Sequence, residues 1–182
     1  LESAVSTKRN TISSLYSEAA FRHLSVAIGA VIAGSPSHDD RAHMQLGAAL
    51  AGLAIENSML GAAHASANPL TARHNVTHGH AVALMLPHVM RYNREVPAAA
   101  AIYARYSTAL ADARVSTLRL IDWVHELVAH SAFPAIAGAA DDVVVLAQGA
   151  TQQWTSQFNP RPLQADDYVA LYRRALANDG SA

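Results

Sequence analysis

The apolar residues of this chain recur mostly at intervals of three and four, which predicts a protein built from α-helices. The clearest run places four apolar side chains on one helical face: Leu118, Ile121, Val124 and Leu127. Patterns of this kind predict helices over residues 12–33, 97–111, 116–132, 140–157 and 165–178. The first of these is expected to end at Gly34-Ser35-Pro36, because glycine and proline are typical of helix ends.

A helix that begins near residue 38 is expected to form the centre of the molecule. Ser37, followed three residues later by Asp40, resembles a capping box in which Asp replaces the usual Glu or Gln. Apolar residues then lie on nearly every face as far as His64, which is typical of a helix buried inside a bundle. Three glycines would let neighbouring helices approach it closely: Gly47, Gly52 and Gly61.

The segment that follows is expected to interrupt the helical pattern. Asn68-Pro69 predicts a break, and residues 69–76 are expected to form an ordered loop. Thr77 is a suitable N-cap for the next helix, in which Pro87 predicts a kink. Together these patterns predict one all-α domain, a bundle of six to seven helices.

Composition agrees with a helical protein and excludes several classes. Hydrophobic residues make up 51% of the chain, largely through alanine, the best helix former. The formal net charge is −1 without a basic stripe, so we expect no nucleic-acid partner. Cysteine is absent, which excludes a disulfide scaffold and fits a cytoplasmic protein. The longest low-charge stretch, residues 46–72, is interrupted by polar residues, so we expect no membrane span.

The beginning of the chain has helical character from its first residue. Nothing in front of Leu1 could cap a helix over residues 1–5, and an uncapped start suggests that the chain was cut inside a helix. Residues 1–8 also carry no signal-peptide pattern. We therefore expect residues upstream of Leu1 to continue this helix in the intact protein.

Ten histidines are many for this length, and most are expected to be surface or packing residues. Six have no further distinguishing feature: His23, His38, His43, His88, His125 and His130. His64 and His78 differ, because one is expected to end a helix and the other to begin the next. Two helix ends joined in this way can direct two imidazoles at one divalent metal ion.

A carboxylate would ordinarily complete such a metal site, and none is close in the sequence. Glu56 precedes His64 by about 12 Å along a helix, at roughly 1.5 Å per residue, which is too far to share an ion. The two histidines therefore either form no site or form one that residues outside this sequence complete.

Three motifs occur in the order and at the intervals of a known family. They are Gly61-Ala62-Ala63-His64-Ala65-Ser66-Ala67-Asn68-Pro69-Leu70, then Thr77-His78-Gly79, then Leu86-Pro87-His88-Val89. With these motifs the chain resembles the iron-containing (group III) alcohol dehydrogenases. Leu1-Glu2 and Asn159-Pro160-Arg161 are also similar to segments of that family, so the resemblance covers essentially the whole chain.

The resemblance implies a fold, a reaction and cofactors. Residues 1–182 would be the C-terminal helical domain of the dehydroquinate synthase-like fold, and a separate N-terminal domain would bind most of the NAD or NADP. One divalent metal, iron or zinc, would be held by His64, His78 and two further ligands that precede Leu1. Hydride would pass between the nicotinamide and a metal-bound alcohol or aldehyde. The chain alone would be inactive, and the intact protein is expected to form homo-oligomers.

One position departs from the family pattern. Asn68 stands where most members have a second histidine close to the nicotinamide, and asparagine cannot titrate near neutrality. We expect Asn68 to orient substrate or cofactor, or else merely to shape the turn before Pro69. By the same comparison, His74 is expected to pack or to line a pocket wall. His80 is expected to face solvent or to support a ligand.

Other functions are compatible with parts of this pattern. The same superfamily includes maleylacetate reductase-like and glycerol dehydrogenase-like enzymes, which a substrate panel would separate. A non-catalytic helical bundle is a different class of answer, but it leaves the spacing of the histidine motifs unexplained. A carboxylate-bridged di-metal bundle is not favoured, because no glutamate is followed by a histidine three residues later.

Overall fold

The structure is a computed structural model that describes residues 1–110 and 117–178. These residues form nine α-helices and one 3₁₀ turn and contain no strand, so the all-α class is confirmed. The helices are α1 Glu2–Val5, α2 Thr11–Ile32, α3 His38–Glu56, α4 Ala62–His74, α5 His78–Asn93, α6 Pro97–Ser107, α7 Thr117–His130, α8 Val143–Thr151 and α9 Ala165–Asn178. The 3₁₀ turn, Trp154–Phe158, follows α8. None of these helices is long and apolar enough to span a bilayer.

The buried side chains form two apolar clusters that share α5. One cluster lies between α4, α5, α8 and α9 and contains the fully buried Leu70, Leu146 and Tyr172. The other joins α1, α2, α6 and α7, with Tyr103 and Ile121 at its centre. Because α5 contributes to both clusters, it fixes the position of the α4–α5 corner relative to the rest of the domain.

The expectation of a single central helix reaching His64 is wrong. The helix α3 ends at Glu56, and the Ser58 hydroxyl donates a hydrogen bond to the Ala54 carbonyl oxygen at 2.7 Å. Only Gly47 and Ala54 are buried in α3, so it lies at the edge and forms a hairpin with α2. Half of its apolar residues are alanines, which fit the pattern of a buried helix but have little area to bury.

The three glycines of that segment differ in their surroundings. A Cβ at Gly47 would lie 2.7 Å from Cγ of Leu24 on α2, so close helix approach is confirmed there. Nothing lies within 4 Å of the corresponding position at Gly52, so the expectation fails at that residue. Gly61 lies beyond α3 and precedes the start of α4.

The expected loop over residues 69–76 is also wrong. The helix α4 continues through Pro69 to His74 and ends at Asn75, which adopts the left-handed conformation with φ of 52°. A Cβ at Gly149 would lie 3.1 Å from Cγ of Pro69, so α8 packs directly on the proline ring. This packing supports the helix at a position where proline removes one backbone hydrogen bond.

The remaining boundaries agree with the sequence patterns to within a few residues, with one exception. The helix expected over 140–157 divides into α8 and the 3₁₀ turn. The predicted end at Ala111 and the predicted start at Ser116 lie outside the described residues. Of the two helices beyond the seven of the predicted bundle, α1 is the helical start expected over residues 1–5, and α4 was not expected.

Candidate metal centre

The two histidines selected from the sequence lie together at the corner between α4 and α5. His64 is in the first turn of α4, and His78 is the first residue of α5. Their ring centroids are 5.3 Å apart and their planes are inclined by 55°. His64 is half-buried and His78 is exposed, so the pair opens to the surface of the domain.

A buried carboxylate contacts one of these rings. Glu2 is 8% exposed, and its Oε2 is within hydrogen-bond distance of Nδ1 of His64. Its Oε1 accepts a hydrogen bond from the backbone N–H of Ala63 at 2.7 Å and a longer one from that of His64 at 3.4 Å. A carboxylate at a helix N-terminus is stabilised by the unpaired N–H groups and by the helix dipole. Glu2 therefore caps α4 and holds the His64 ring.

A second side chain completes this cap from the other end of the chain. Oδ1 of Asn159 accepts a hydrogen bond from the backbone N–H of Ala62 at 3.3 Å. The amides of Asn159 and Asn93 exchange two hydrogen bonds, of 2.6 and 3.0 Å, in a buried environment. Gly61 makes room for both caps, because a Cβ there would lie 2.9 Å from Asn159 Oδ1 and 3.2 Å from Glu2 Oε1.

The body of α4 is anchored by the last helix. The Tyr172 hydroxyl on α9 donates a hydrogen bond to the Ser66 carbonyl oxygen at 2.6 Å. Burial raises the pKa of Tyr172, so its phenol remains protonated and continues to donate. The backbone that carries His64 is thus held at its start by Glu2 and Asn159 and one turn later by Tyr172.

Asn68 lies one helical turn after His64 and is partly buried. Its side-chain amide donates a hydrogen bond to Oε1 of Gln153 at 2.8 Å. Because α4 continues through Pro69, the alternative in which Asn68 only shapes a turn is wrong. The Asn68 side chain therefore lies on the His64 side of α4 with its amide fixed in orientation.

The other histidines have separate environments. His74 contacts Asp142, with Nε2 and Oδ2 3.3 Å apart. His80 is buried and stacks on Phe133 with ring centroids 4.4 Å apart, so the expectation that it faces solvent is wrong. His88 is buried, and desolvation, reinforced by His125, lowers its pKa to about 4. His88 is therefore a neutral packing residue at physiological pH.

Two elements of the site were not identified as functional from the sequence. Glu2 and Asn159 were noted only as parts of family-like segments, and nothing in their local sequence indicates that they meet across the fold. The available clue was the missing cap in front of α4, where Gly61 has no side chain to donate or accept. Within residues 1–110 and 117–178, no cluster of three or more His, Cys, Asp or Glu side chains has the arrangement of a complete metal site.

The arrangement of helices is shared with solved oxidoreductases. One structure, a 1,3-propanediol oxidoreductase, superimposes with a TM-score of 0.85 and 26% identity, over 96% of this chain and 48% of the other. The alcohol dehydrogenase of Thermococcus thioreducens superimposes with a TM-score of 0.80 over 97% of this chain and 48% of its own, at 22% identity. The fold is therefore that of the helical part of iron-type alcohol dehydrogenases.

The chain belongs to the Fe-containing alcohol dehydrogenase family, since the model of the C-terminal part of that family matches residues 1–176. It is 31% identical over 159 residues to the lactaldehyde reductase of Escherichia coli K12, covering 81% of this chain and 41% of the relative. It is 32% identical over 196 residues to the 1-propanol dehydrogenase of Citrobacter freundii, covering 97% of this chain and 51% of the relative. The chain thus spans about half the length of these relatives.

Proposed function

We propose that this chain is the helical, metal-carrying half of an NAD(P)-dependent alcohol dehydrogenase that interconverts an alcohol and its aldehyde. The observation that carries the proposal is the pair of imidazoles at positions 64 and 78, whose ring centroids are 5.3 Å apart. Family membership supports an alcohol oxidoreductase reaction. The histidine pair supports the proposal that the metal for this reaction binds at the corner between α4 and α5.

The donor atoms of this pair suit the implied metal. Glu2 engages Nδ1 of His64, which leaves Nε2 as the nitrogen available to an ion. Neutral imidazole nitrogen is a common ligand for both iron and zinc. A four-coordinate ion would need two more ligands, and the family resemblance assigns an aspartate and a histidine upstream of Leu1 to that role.

Each part of the site has a distinct task in the proposed reaction. When bound, the metal supplies Lewis-acid polarisation of the alcohol or carbonyl oxygen. His64 and His78 would hold the ion at the corner of α4 and α5. Asn68, fixed by Gln153, presents amide and carbonyl groups on the same side of α4 and orients substrate or nicotinamide. Because asparagine does not titrate near neutrality, the alcohol proton leaves through water or a cofactor hydroxyl.

The relatives support the proposed substrate class and the proposed partner domain. Relatives named for lactaldehyde and 1-propanol support a three-carbon alcohol or aldehyde as substrate. The maleylacetate reductase-like and glycerol dehydrogenase-like enzymes are the alternatives that a substrate panel separates. An N-terminal domain in the intact protein supplies most of the NAD or NADP site, so this chain alone is inactive. Homo-oligomers and a cytoplasmic location, where nicotinamide coenzymes are turned over, complete the proposal.

The test uses the full-length protein with histidine variants. The purified protein should contain iron or zinc and oxidise 1-propanol with NAD or NADP. His64→Ala and His78→Ala should both lose the metal and reduce turnover to background. His23→Ala removes a histidine on α2 whose Nδ1 lies 2.8 Å from that of His43, and it should retain both metal and activity. Unchanged metal content in the His64 and His78 variants refutes the proposal.

The same assay examines Asn68. Asn68→Ala removes the amide group that Gln153 orients, and we expect a higher Michaelis constant for substrate or coenzyme with the metal content unchanged. Identical turnover and Michaelis constants in this variant exclude the orienting role.

A further inference from the structure

The two oxygens of the Glu2 carboxylate have different partners. Oε1 accepts hydrogen bonds from backbone N–H groups of α4, at 2.7 Å from Ala63 and 3.4 Å from His64. Oε2 faces Nδ1 of the His64 ring. The Glu2 side chain is 7% exposed, so water has little access to replace these partners.

This division determines where the His64 proton resides. An ionised carboxylate only accepts hydrogen bonds, so the nitrogen that faces it must donate. Oε1 accepts from the N–H groups of Ala63 and His64, so Oε2 is the oxygen that accepts from the ring. Nδ1 of His64 therefore carries the proton, and Nε2 is left with a lone pair. Without Glu2, no acceptor faces Nδ1 of His64, and this contact no longer selects one tautomer.

We propose that Glu2 is a positioning residue that fixes His64 in the tautomer with hydrogen on Nδ1, so that Nε2 is open to a metal ion. The inference rests on the proposed function for the metal, but the tautomer itself is a property of the metal-free chain. A carboxylate behind a ligating histidine orients the ring and raises its basicity, and loss of such a partner typically weakens metal binding.

The substitution that isolates this role is Glu2→Gln. The glutamine oxygen can still accept from the Ala63 N–H, which keeps the cap on α4. Its amide nitrogen then faces His64, and an amide N–H₂ can only donate. Nδ1 must now accept, so the proton moves to Nε2 and occupies the position that the metal would take.

The readouts are ¹⁵N NMR of the His64 imidazole in the metal-free full-length protein and zinc affinity by titration. The wild type should show Nδ1–H, and Glu2→Gln should show Nε2–H. Zinc affinity should fall by about 10- to 100-fold in Glu2→Gln, the range typical of losing the hydrogen-bond partner behind a ligating histidine. Helix content should be unchanged by circular dichroism.

A matched control separates positioning from stability. Asn159→Ala removes the other cap of α4 and leaves the Glu2–His64 contact in place. It should lower thermal stability without changing the His64 tautomer, and it should weaken zinc binding less than Glu2→Gln does. If Asn159→Ala weakens zinc binding as much as Glu2→Gln does, capping rather than tautomer control explains the effect, and the inference is wrong.

The remaining outcomes are equally decisive. An Nε2–H tautomer in the wild type overturns the inference even if Glu2→Gln fails to fold. The inference is also overturned if Glu2→Gln keeps the proton on Nδ1 of His64 and binds zinc as tightly as the wild type. Failure of the proposed metal function would appear differently, as zinc binding that is insensitive to His64→Ala, while the tautomer measurement would still test Glu2.

Discussion

The N-termini of α2 and α3 are capped by neighbouring residues, whereas the N-terminus of α4 is capped by residues distant in sequence. Asn10 with Ser13 and Ser37 with Asp40 each form a reciprocal capping box. The α4 backbone instead receives Glu2, 61 residues before Ala63, and Asn159, 97 residues after Ala62. The difference shows that α4 depends on the tertiary fold for its start, and α4 carries His64, one of the two candidate metal ligands.

This dependence has a functional consequence. A locally capped helix can begin at the same residue even when its neighbours shift. The start of α4 is defined only when α1 and the segment around Asn159 are in place, so His64 is positioned by the assembled domain. The following substitutions compare how much a distant cap and a local cap each contribute to the stability of the fold.

The largest effect is expected for Asn159→Ala. It removes the acceptor for Ala62 N–H and leaves the amide of Asn93, which is 1% exposed, without its two hydrogen bonds to Asn159. Leaving buried polar groups unsatisfied should lower the free energy of unfolding by about 3 kcal/mol. The exposed Ser37→Ala, which removes a local cap, should cost only about 1 kcal/mol. Urea denaturation of both variants measures the difference, and equal losses would remove the distinction between the caps.

An intermediate effect is expected for Gly61→Ala. The new Cβ would lie 2.9 Å from Asn159 Oδ1 and 3.2 Å from Glu2 Oε1, so both caps must move. Overpacking of this kind should lower the free energy of unfolding by roughly 1–3 kcal/mol. Gly52→Ala is the matched control, since nothing lies within 4 Å of its Cβ position. It should stabilise α3 by about 0.5–1 kcal/mol, the helix preference of alanine over glycine. Thermal unfolding that shifts in the same direction for both variants would show that Gly61 has no steric role.

The same contrast explains what could be predicted from the sequence. Ser37 and Asp40 of the capping box are three positions apart, so the local pattern was enough to place the start of α3. The end of α3 could not be placed because Met59, Leu60 and the alanines after them resume the apolar pattern beyond Asn57 and Ser58. The continuation of α4 through Pro69 could not be predicted, because it depends on packing against Gly149 in a distant helix.

The candidate site divides along the same line. His64 and His78 were selected from motif spacing, and the structure brings their rings to 5.3 Å. Glu2 and Asn159 could not be predicted as their partners, because contacts between residues 2 and 64, or 62 and 159, form only when the chain folds. A cap that is missing from the local sequence at the start of a ligand-bearing helix is therefore a reason to search for distant polar side chains.

The smallest effect is expected at the local cap of α3 on acidification. Hydrogen bonds from the Ser37 side chain and backbone hold the pKa of Asp40 below its ordinary value. The carboxylate therefore stabilises the fold above the ordinary carboxyl pKa, and this contribution is lost as the pH falls through the lowered pKa. Asp40→Asn should be less stable than the wild type at neutral pH, and the difference should disappear in acid. Asp39→Asn, which removes a charge from the same turn without breaking the box, should show a weaker pH dependence. A difference for Asp40→Asn that persists after the carboxyl group is protonated would mean that the ionised box does not stabilise α3.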